Sequence, residues 1–380
     1  MKALRLLSLP GTILRRRFGG AGRPRFLTHV VTFACNARCV MCDSWRKDTS
    51  GELDAGEIEA IYRQLPPMDM VRLTGGEPFV RPDLPDIARL ALRWLRPLCL
   101  HLTTNGFLTD RIVRFCETRE RSTPLRLLVS IDGPAEHHDR IRGHAGAFDA
   151  AMATLDALAP RRRELNLVLG VNQTIVDPAG IEAHRRLEAL LRPRGIPLNA
   201  VLAYRQSALY DRRPSVNLAP AHPGEYRPHG DFSPEDLAEL FAAVEAGIRR
   251  LPWADRIAKR YYWRGLRARL LRDTPFTQPP CVALHAHLRL LPDGRVPVCQ
   301  FNTGTVGSLK ESAFADVWTS PAAERQRRWV RACPGCWAEC EVLPSALYTG
   351  AILRTVFEVT TVPPERPVPT AAPHQAPAPK

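Results

Sequence analysis

The stretch LTHVVTFACNARCVMCDSW, residues 27–45, joins an apolar, β-rich run to a short loop that carries three cysteines. Three residues separate Cys35 from Cys39, and two separate Cys39 from Cys42. Cysteines this close in sequence do not form a disulfide framework, but they can converge on one metal centre. A structural zinc site normally has four protein ligands, so a zinc interpretation needs a further ligand, either His29 or His101. A [4Fe–4S] cluster held by the three thiolates keeps one iron without a protein ligand.

Short β-rich runs alternate with amphipathic segments from residue 27 onward. The runs that we predict to be strands are 27–33, 70–74, 99–103, 126–131, 165–171 and 197–203. The helical patterns cover 54–65, 83–95, 109–118, 146–158 and 179–192, with another helix from Ser233-Pro234 onward. Six successive βα units predict an α/β fold: a parallel sheet with helices outside, closed into a (β/α)6 partial TIM barrel.

Polar motifs follow the predicted strands where each strand ends. They are Gly75-Gly76-Glu77-Pro78, Thr103-Thr104-Asn105-Gly106, Ser130-Ile131-Asp132-Gly133 and Asn172-Gln173-Thr174. Glycine and asparagine are ordinary turn residues, so one such motif alone is weak evidence. Because the carboxyl ends of parallel strands share one rim, these motifs are expected to lie beside the cysteine loop.

The spacing Cys35-x3-Cys39-x2-Cys42 resembles the signature of the radical S-adenosylmethionine (radical SAM) superfamily. The motifs after the second, third and fourth strands follow in the order of that family. The segment HHDRIRGHAGAF, residues 137–148, is similar to the segment after the fourth strand in the subgroup with auxiliary clusters. The resemblance covers about residues 25–205. Met41 departs from it, since the residue before the last cysteine is often aromatic in the family.

The resemblance implies a [4Fe–4S] cluster on Cys35, Cys39 and Cys42, with S-adenosylmethionine chelating the fourth iron. The residues that it places near S-adenosylmethionine are Gly75, Gly76, Glu77, Pro78, Asn105, Ser130, Asp132, Arg142 and Asn172. Glu77 is expected near the methionine amine, and Arg142 near the carboxylate, unless Arg142 is a solvated surface residue. The implied chemistry is reductive cleavage to a 5′-deoxyadenosyl radical, which abstracts hydrogen from the substrate.

A second set of cysteines follows the pattern Cys-x12-Gly-x4-Cys and then Cys-x2-Cys-x3-Cys, at Cys281, Cys299, Cys333, Cys336 and Cys340. By itself this set also permits a zinc ribbon. Beside a radical SAM core it resembles the Twitch and SPASM auxiliary-cluster modules, with residues 288–299 as a β-hairpin turning at Asp293-Gly294. The resemblance implies an auxiliary [4Fe–4S] cluster on the first four cysteines, while Cys340 is a further ligand, a spare thiol or an exchanging one.

Other residues refine this interpretation. Some relatives that oxidise Ser or Cys in proteins carry an aspartate after the hairpin cysteine, whereas this chain has Gln300, which cannot act as a general base. His285 and His287 are candidates for deprotonating a substrate or are ordinary strand histidines. The remaining cysteines, Cys99 and Cys116, are expected to be buried structural thiols.

Composition sets the outer limits. The 380 residues include ten cysteines, and 53 basic against 39 acidic residues give a net charge of +14. Arginine is spread along the chain without an RNA-binding motif, so we expect no nucleic-acid partner. No apolar run is long enough for a transmembrane segment, and thiolate metal centres favour a cytoplasmic location.

The expected organisation is a basic N-terminal segment for docking or surface contact, a core, connecting helices, an auxiliary module and a disordered Pro-rich tail. The boundaries are 1–24, 25–232, 233–280, 281–345 and 363–380, and 204–232 is expected to be a linker or a loop over the substrate. The predicted activity is net oxidation or bond formation on a peptide or small metabolite, with a reductase, flavodoxin or ferredoxin as electron donor. Two alternatives are a cofactor- or carbohydrate-biosynthesis dehydrogenase and a non-catalytic iron–sulfur or zinc protein.

Overall fold

The computed structural model describes residues 8–17, 22–205, 227–273, 275–302, 304–333 and 335–353. Its main sheet has seven parallel strands in the order β6-β5-β4-β3-β2-β1-β7. The strands are β1 Phe26–Thr32, β2 Met70–Gly75, β3 Cys99–Thr104, β4 Leu125–Ser130, β5 Leu167–Ile175, β6 Leu198–Leu202 and β7 His287–Leu290. The first six confirm the predicted strands and the partial barrel. β1 is buried along its whole length because strands pair with both of its edges.

The helices in chain order are α1 Leu9–Arg17, α2 Ala55–Tyr62, α3 Leu84–Leu90, α4 Thr109–Thr118, α5 Ala135–Arg142, α6 Ala147–Leu158, α7 Ala179–Leu191, α8 Pro234–Ile248, α9 Trp253–Leu270, α10 Phe314–Thr319, α11 Pro321–Ala332 and α12 Glu339–Tyr348. The expected helix starts hold at Asp54 and Ser233, each of which forms a capping box with the residue three positions later. At Asp83 the side chain instead pairs with Arg81 at 2.5 Å and caps nothing. None of the described helices is long and apolar enough to cross a membrane.

The predicted hairpin at 288–299 is wrong in its pairing, although its turn is correct. Gly294 has a φ of 86°, and the Leu291 N–H donates to the Arg295 carbonyl at 2.9 Å, which closes the turn. However, β7 pairs in parallel with β1 and completes the main sheet. The following strand β8, Arg295–Pro297, pairs instead with β9, Thr305–Ser308. All four residues of β7 are buried, and pairing with the free edge of β1 places the two leucines in the core.

The N-terminal helix α1 packs against β1 and the last described helix, α12. Leu9 packs with Phe26, Val282 and Tyr348. The Thr12 hydroxyl accepts a hydrogen bond from Arg25 at 2.7 Å. The docking or surface role of the whole segment 1–24 stays a prediction, since residues 1–7 and 18–21 lie outside the described residues. The predicted tail at 363–380 and residues 206–226 of the predicted loop lie outside the described residues.

Candidate active site at the cysteine loop and the central cavity

The cysteine loop leaves the end of β1 and is fixed at several points. At its start, the Phe33 N–H donates to Glu52 Oε1 at 2.6 Å, and the Ser44 hydroxyl donates to the Phe33 carbonyl at 3.0 Å. In its middle, the N–H groups of Arg38 and Val40 donate to the last carbonyls of α5, at 2.9 and 3.0 Å. These bonds hold the loop in one conformation at the rim of the sheet.

The three thiols of the loop have separate donors beside them. The Ala37 N–H lies 3.4 Å from Cys35 Sγ, the Ser44 N–H 3.5 Å from Cys42 Sγ, and Arg142 Nη1 3.8 Å from Cys39 Sγ. Burial raises the pKa of Cys35 to about 12 and that of Cys42 to about 11. Iron binding replaces these protons, and the N–H and guanidinium donors then stabilise the negative sulfurs. The chemistry of this donor set fits a [4Fe–4S] cluster that is held by three thiolates.

The Gly75-Gly76 turn at the end of β2 packs directly against the residues before Cys35. The Gly76 N–H donates to the Thr32 carbonyl at 2.8 Å. A Cβ on Gly75 would lie 2.2 Å from that same oxygen, and a Cβ on Gly76 would lie 2.2 Å from the Ala34 carbonyl oxygen. The contact therefore requires glycine at both positions, and it sets the predicted S-adenosylmethionine turn beside the cysteine loop.

Glu77 joins the ends of two strands to each other. Its carboxylate is 1 % exposed and accepts hydrogen bonds from the Phe79 N–H at 3.0 Å, the Thr104 hydroxyl at 2.8 Å and the Asn105 N–H at 2.6 Å. Burial raises the pKa of Glu77 to about 7. The Asn105 amide in turn donates to Asn36 Oδ1 at 2.6 Å, inside the cysteine loop. Glu77 thus has a positioning role at this rim; its contact with the methionine amine stays a prediction.

Asp132 and Arg142 form a buried ion pair between the fourth strand end and the cysteine loop. Arg142 Nε lies 2.7 Å from Asp132 Oδ2, and Nη2 lies 3.0 Å from Oδ1. Asp132 Oδ1 also accepts the Thr174 N–H at 2.9 Å. Arg142 is therefore no solvated surface residue, because it links Asp132 to the sulfur of Cys39. Its pairing with a carboxylate of S-adenosylmethionine stays a prediction.

The remaining predicted contacts lie along the same rim. Pro78 begins the short 3-10 turn Pro78–Val80 and is buried. Ser130, which is 6 % exposed, pairs in register with Asn172 on the neighbouring strand. Asn172 lines a large cavity inside the sheet. The structure thus brings the motifs of all five strand ends to one side of the sheet, as expected.

Four of the five C-terminal cysteines face a second, mostly apolar cavity. Cys281, Cys299, Cys333 and Cys336 all line it, as does the aromatic side chain of Trp329. Burial raises the pKa of Cys299 and that of Cys336. Four thiols around one apolar space are a donor set that fits a complete [4Fe–4S] cluster. This agrees with the four-ligand arrangement that the Twitch-like spacing implies.

Cys340 faces elsewhere. Cys340 is not one of the described residues that line the second cavity. It lines the large cavity inside the sheet instead. Its thiol donates to Gln300 Oε1 at 2.9 Å. Burial raises the pKa of Cys340 to about 11. This placement does not support Cys340 as a ligand of the auxiliary cluster and favours the spare-thiol alternative.

In the described part of the chain, no group of three or more His, Cys, Asp or Glu side chains has an arrangement that could hold a single metal ion.

The histidines considered as bases or zinc ligands have internal partners. His29 Nδ1 lies 2.7 Å from the Tyr62 hydroxyl, and burial lowers the pKa of His29 to about 3. His287 lies between Thr28 and Glu341, with ring nitrogens 2.9 and 3.2 Å from their side-chain oxygens. His285 is 1 % exposed and bonds the Ala283 carbonyl at 2.8 Å. These contacts identify all three as ordinary buried histidines. Cys116 is buried as expected, whereas Cys99 is partly exposed.

The large cavity, hereafter the central cavity, lies between the cysteine loop and the C-terminal module. Its empty volume is about 1580 Å³ and it is open to solvent. Met41 and Cys42 of the cysteine loop line one part, and Gln300 and Cys340 of the C-terminal module line another. A space of this size accommodates a small molecule or a peptide segment between the two modules.

Sequence reasoning missed the charged floor of the central cavity. Arg72 and Arg289 both line it, although they lie within the apolar strands MVRLTG and HLRL. Arg289 pairs with the buried Glu341 at 2.6 Å. The sequence did contain a signal for this floor. A charged residue between apolar residues in a strand must face either solvent or an internal cavity, because alternate side chains point to opposite faces of the sheet.

Comparison with known proteins supports two iron–sulfur systems in this chain. The profile of the radical SAM superfamily matches residues 29–181, and that of an iron–sulfur cluster-binding domain, SPASM, matches residues 281–340. An AdoMet-dependent heme synthase of Methanosarcina barkeri is 35% identical over 158 residues, which are 40% of this chain and 43% of that protein. The mycofactocin maturase MftC of Mycobacterium tuberculosis is 37% identical over 145 residues, which are 37% and 36% of the two chains. The chain therefore spans less than half of the length of these curated relatives.

Solved structures show the same fold at low sequence identity. The enzyme anSMEcpe with bound AdoMet superposes with a TM-score of 0.54 at 15% identity, covering 88% of this chain and 95% of that one. Streptococcus suis SuiB bound to precursor peptide SuiA gives a TM-score of 0.56 at 15% identity, covering 84% and 70%. These structures show the fold alone. The profile matches over residues 29–181 and 281–340, with the three-cysteine loop, the glycine turn and the four-thiol cavity, show that the chain belongs to the radical SAM superfamily and carries a SPASM-type iron–sulfur domain.

Proposed function

We propose that this protein is a radical SAM enzyme that abstracts hydrogen from a peptide or small metabolite bound in the central cavity. The observation that carries the proposal is the position of that cavity, which is lined at once by Cys42 of the first loop and by residues of the SPASM-type domain. A substrate in this space would lie against Cys42 on one side and against Gln300 and Cys340 of the SPASM-type domain on another. The outcome that fits two such systems is a net oxidation or the formation of a new bond.

The cofactors are a [4Fe–4S] cluster with S-adenosylmethionine and an auxiliary [4Fe–4S] cluster. Cys35, Cys39 and Cys42 would hold the first, and the cysteines of the apolar cavity would hold the second: Cys281, Cys299, Cys333 and Cys336. When reduced, the first cluster and S-adenosylmethionine supply a 5′-deoxyadenosyl radical as the hydrogen-abstracting agent. A reductase, flavodoxin or ferredoxin is the expected source of the electron.

The residues around the cysteine loop would hold the loop and the bound cofactor in position. The glycine turn sets β2 against the cysteine loop, and Glu77 ties this turn to the end of β3. Asp132 holds Arg142 in place, with Nη1 3.8 Å from Cys39 Sγ, where it would donate to a cluster-bound sulfur. Glu77, Asp132 and Arg142 are buried, so they hold the rim of the sheet in place beside the solvent-open central cavity.

The test is anaerobic reconstitution with iron and sulfide, followed by dithionite and S-adenosylmethionine. Formation of 5′-deoxyadenosine supports the enzyme. Intact clusters without any 5′-deoxyadenosine would favour the non-catalytic alternative, an electron carrier or binding protein. Iron and sulfide counts on the same sample test the second module, because two cubane clusters require about eight irons per chain.

Two classes of substrate fit the cavity and are separable by experiment. A peptide is suggested by the fold similarity to SuiB with its bound precursor peptide. A small metabolite is suggested by the sequence similarity to the heme synthase, which also keeps a cofactor-biosynthesis reaction open. Consumption of S-adenosylmethionine is measured with a cell extract and with the same extract after molecules above a few kilodaltons have been removed. Stimulation by the complete extract alone would favour the peptide. We place the protein in the cytoplasm as part of this proposal.

A further inference from the structure

The floor of the central cavity is a row of residues in register across four neighbouring strands. Arg289 on β7 pairs with Thr28 on β1, Thr28 pairs with Arg72 on β2, and Arg72 pairs with His101 on β3. All four residues line the cavity. Side chains at one register level of a parallel sheet point to the same face, so this row presents two guanidinium groups to one space.

The carboxylates around this floor have cationic partners other than Arg72. Glu341 pairs with Arg289 at 2.6 Å, and Glu339 pairs with Lys259 at 2.8 Å. At the same level on β4, Arg126 pairs with Asp255 at 2.9 Å. Each of these charges is therefore balanced within the chain, pair by pair.

Arg72 is different. Its Nε donates to His101 Nδ1 at 3.3 Å, and its guanidinium lies 5.3 Å from the centre of the Phe26 ring. Burial, together with the charge of Arg72, lowers the pKa of His101 well below its ordinary value, so this imidazole is a neutral acceptor. In the part of the chain that the structure describes, no ion pair joins the Arg72 guanidinium to a carboxylate. A guanidinium in a cavity without an anionic partner carries a desolvation cost that a bound anion would offset.

A second polar group at the cavity wall also lacks a partner. Gln300 is 3 % exposed, and its Oε1 accepts the Cys340 thiol. Its Nε2 has no hydrogen-bond partner among the described residues. The wall thus offers a cation and an unused N–H donor, the combination that binds carboxylate or phosphate oxygens.

From this arrangement we infer that Arg72 binds an oxyanion of the substrate, a carboxylate or phosphate group, at the floor of the central cavity. The inference deepens the proposed function and rests on it, because it names the chemical class of the molecule that enters the cavity. Gln300 contributes a second donor, and Arg289 stays with Glu341. The planar fork of Arg72 binds two oxygens of such a group at once.

The experiment titrates inorganic phosphate and succinate separately into the reconstituted protein, by calorimetry, with S-adenosylmethionine saturating and no reductant. Saturation fills the site of the S-adenosylmethionine carboxylate, and without reductant there is no turnover. We expect at least one anion to bind, and Arg72→Gln to weaken that binding by about tenfold or more, since hydrogen bonds to charged groups are worth this much. Preference for phosphate indicates a phosphorylated substrate, and preference for succinate a carboxylate.

The matched control is Arg205→Gln. Arg205 also lines the cavity, but it pairs with the exposed Asp231 at 2.8 Å. We expect this variant to bind the anion within twofold of the wild type. Equal binding by Arg72→Gln and wild type, an equal loss in both variants, or no binding of either anion by the wild type overturns the inference.

Two further variants keep the test decisive if Arg72→Gln does not fold, which thermal melting would show. Arg72→Lys retains the charge but loses the two-donor fork, so it should bind the anion more weakly than the wild type and still measurably. Thr103→Glu leaves Arg72 in place and adds a carboxylate to the wall of the same cavity, next to the imidazole that Arg72 contacts, because Thr103 Oγ1 lies 3.5 Å from His101 Nε2. We expect it to compete with the anion and weaken binding; unchanged binding counts against the inference. Anion binding is measured without reductant, so it is independent of catalysis. A protein that binds the anion through Arg72 in this titration, but forms no 5′-deoxyadenosine in the reduced assay, contradicts only the proposed function.

Discussion

Replacement of Gly76 by alanine is the sharpest test of the way the glycine turn positions the cysteine loop. The added Cβ would lie 2.2 Å from the Ala34 carbonyl oxygen and 2.5 Å from the Phe33 carbonyl oxygen. Real Cβ contacts are essentially never shorter than 3.0 Å, so the two backbones must separate by close to 1 Å. Both contacts are with backbone, and neither can be relieved by a side-chain rotation.

The expected cost has a structural and a functional part. Overpacking of this kind destabilises a fold by about 1–3 kcal/mol. A displacement of about 1 Å next to reacting groups lowers a rate by about 100-fold. We therefore expect Gly76→Ala to unfold at a lower urea concentration and to form 5′-deoxyadenosine about 100-fold more slowly than the wild type.

The control for this prediction is Gly51→Ala. A Cβ on Gly51 meets nothing within 4 Å, so the same chemical change is expected to leave both readouts unchanged. Urea unfolding and 5′-deoxyadenosine formation are measured on anaerobically reconstituted protein with equal iron content. If Gly76→Ala matches the wild type in both assays, the close contact between the turn and the loop has no role, and the reasoning is refuted.

The remaining predictions concern charge, cluster ligands and pH. Arg142→Gln leaves Asp132 as a buried carboxylate without its cation, which should lower the free energy of unfolding by about 3–5 kcal/mol. The double variant with Asp132→Asn removes that unpaired charge. A smaller loss of unfolding free energy in the double variant, measured by urea unfolding, would confirm the pairing. Cys336→Ser should remove about four irons per chain, while Cys340→Ser removes none, and iron counting decides. Burial lowers the pKa of His184 to about 4, well below the ordinary histidine value of about 6.5, so the folded state binds fewer protons than the unfolded chain between these values. Stability should therefore fall by about 2 kcal/mol from pH 7 to pH 5 through this residue, and His184→Gln should lack that part of the fall in urea unfolding.

The sheet and its rim were predictable because they depend on short-range patterns. Apolar runs of five to seven residues can form only buried strands here, and the capping box at Asp54 marks its helix start from four residues of sequence. The alternation of strands and helices then fixes which loops share an edge. These rules placed the cysteine loop and the four polar motifs on one side of the sheet.

The parts that were not predictable depend on long-range pairing. A pattern shows that residues 287–290 form a strand, but not that this strand joins the free edge of β1 rather than its neighbour in sequence. Spacing shows five cysteines near one another, but not that Cys340, at the start of α12, points into the central cavity. The pairing of Arg142 with Asp132 also needed the third dimension, since the two residues lie on different elements.

Formation of 5′-deoxyadenosine by the wild type and by Cys39→Ala tests the central claim most directly. Both proteins are reconstituted anaerobically with iron and sulfide, reduced with dithionite and supplied with S-adenosylmethionine. If Cys35, Cys39 and Cys42 hold the cluster that cleaves S-adenosylmethionine, the wild type forms 5′-deoxyadenosine and Cys39→Ala forms none, while Cys336→Ser still has the first cluster. Undiminished 5′-deoxyadenosine formation by Cys39→Ala would contradict the account.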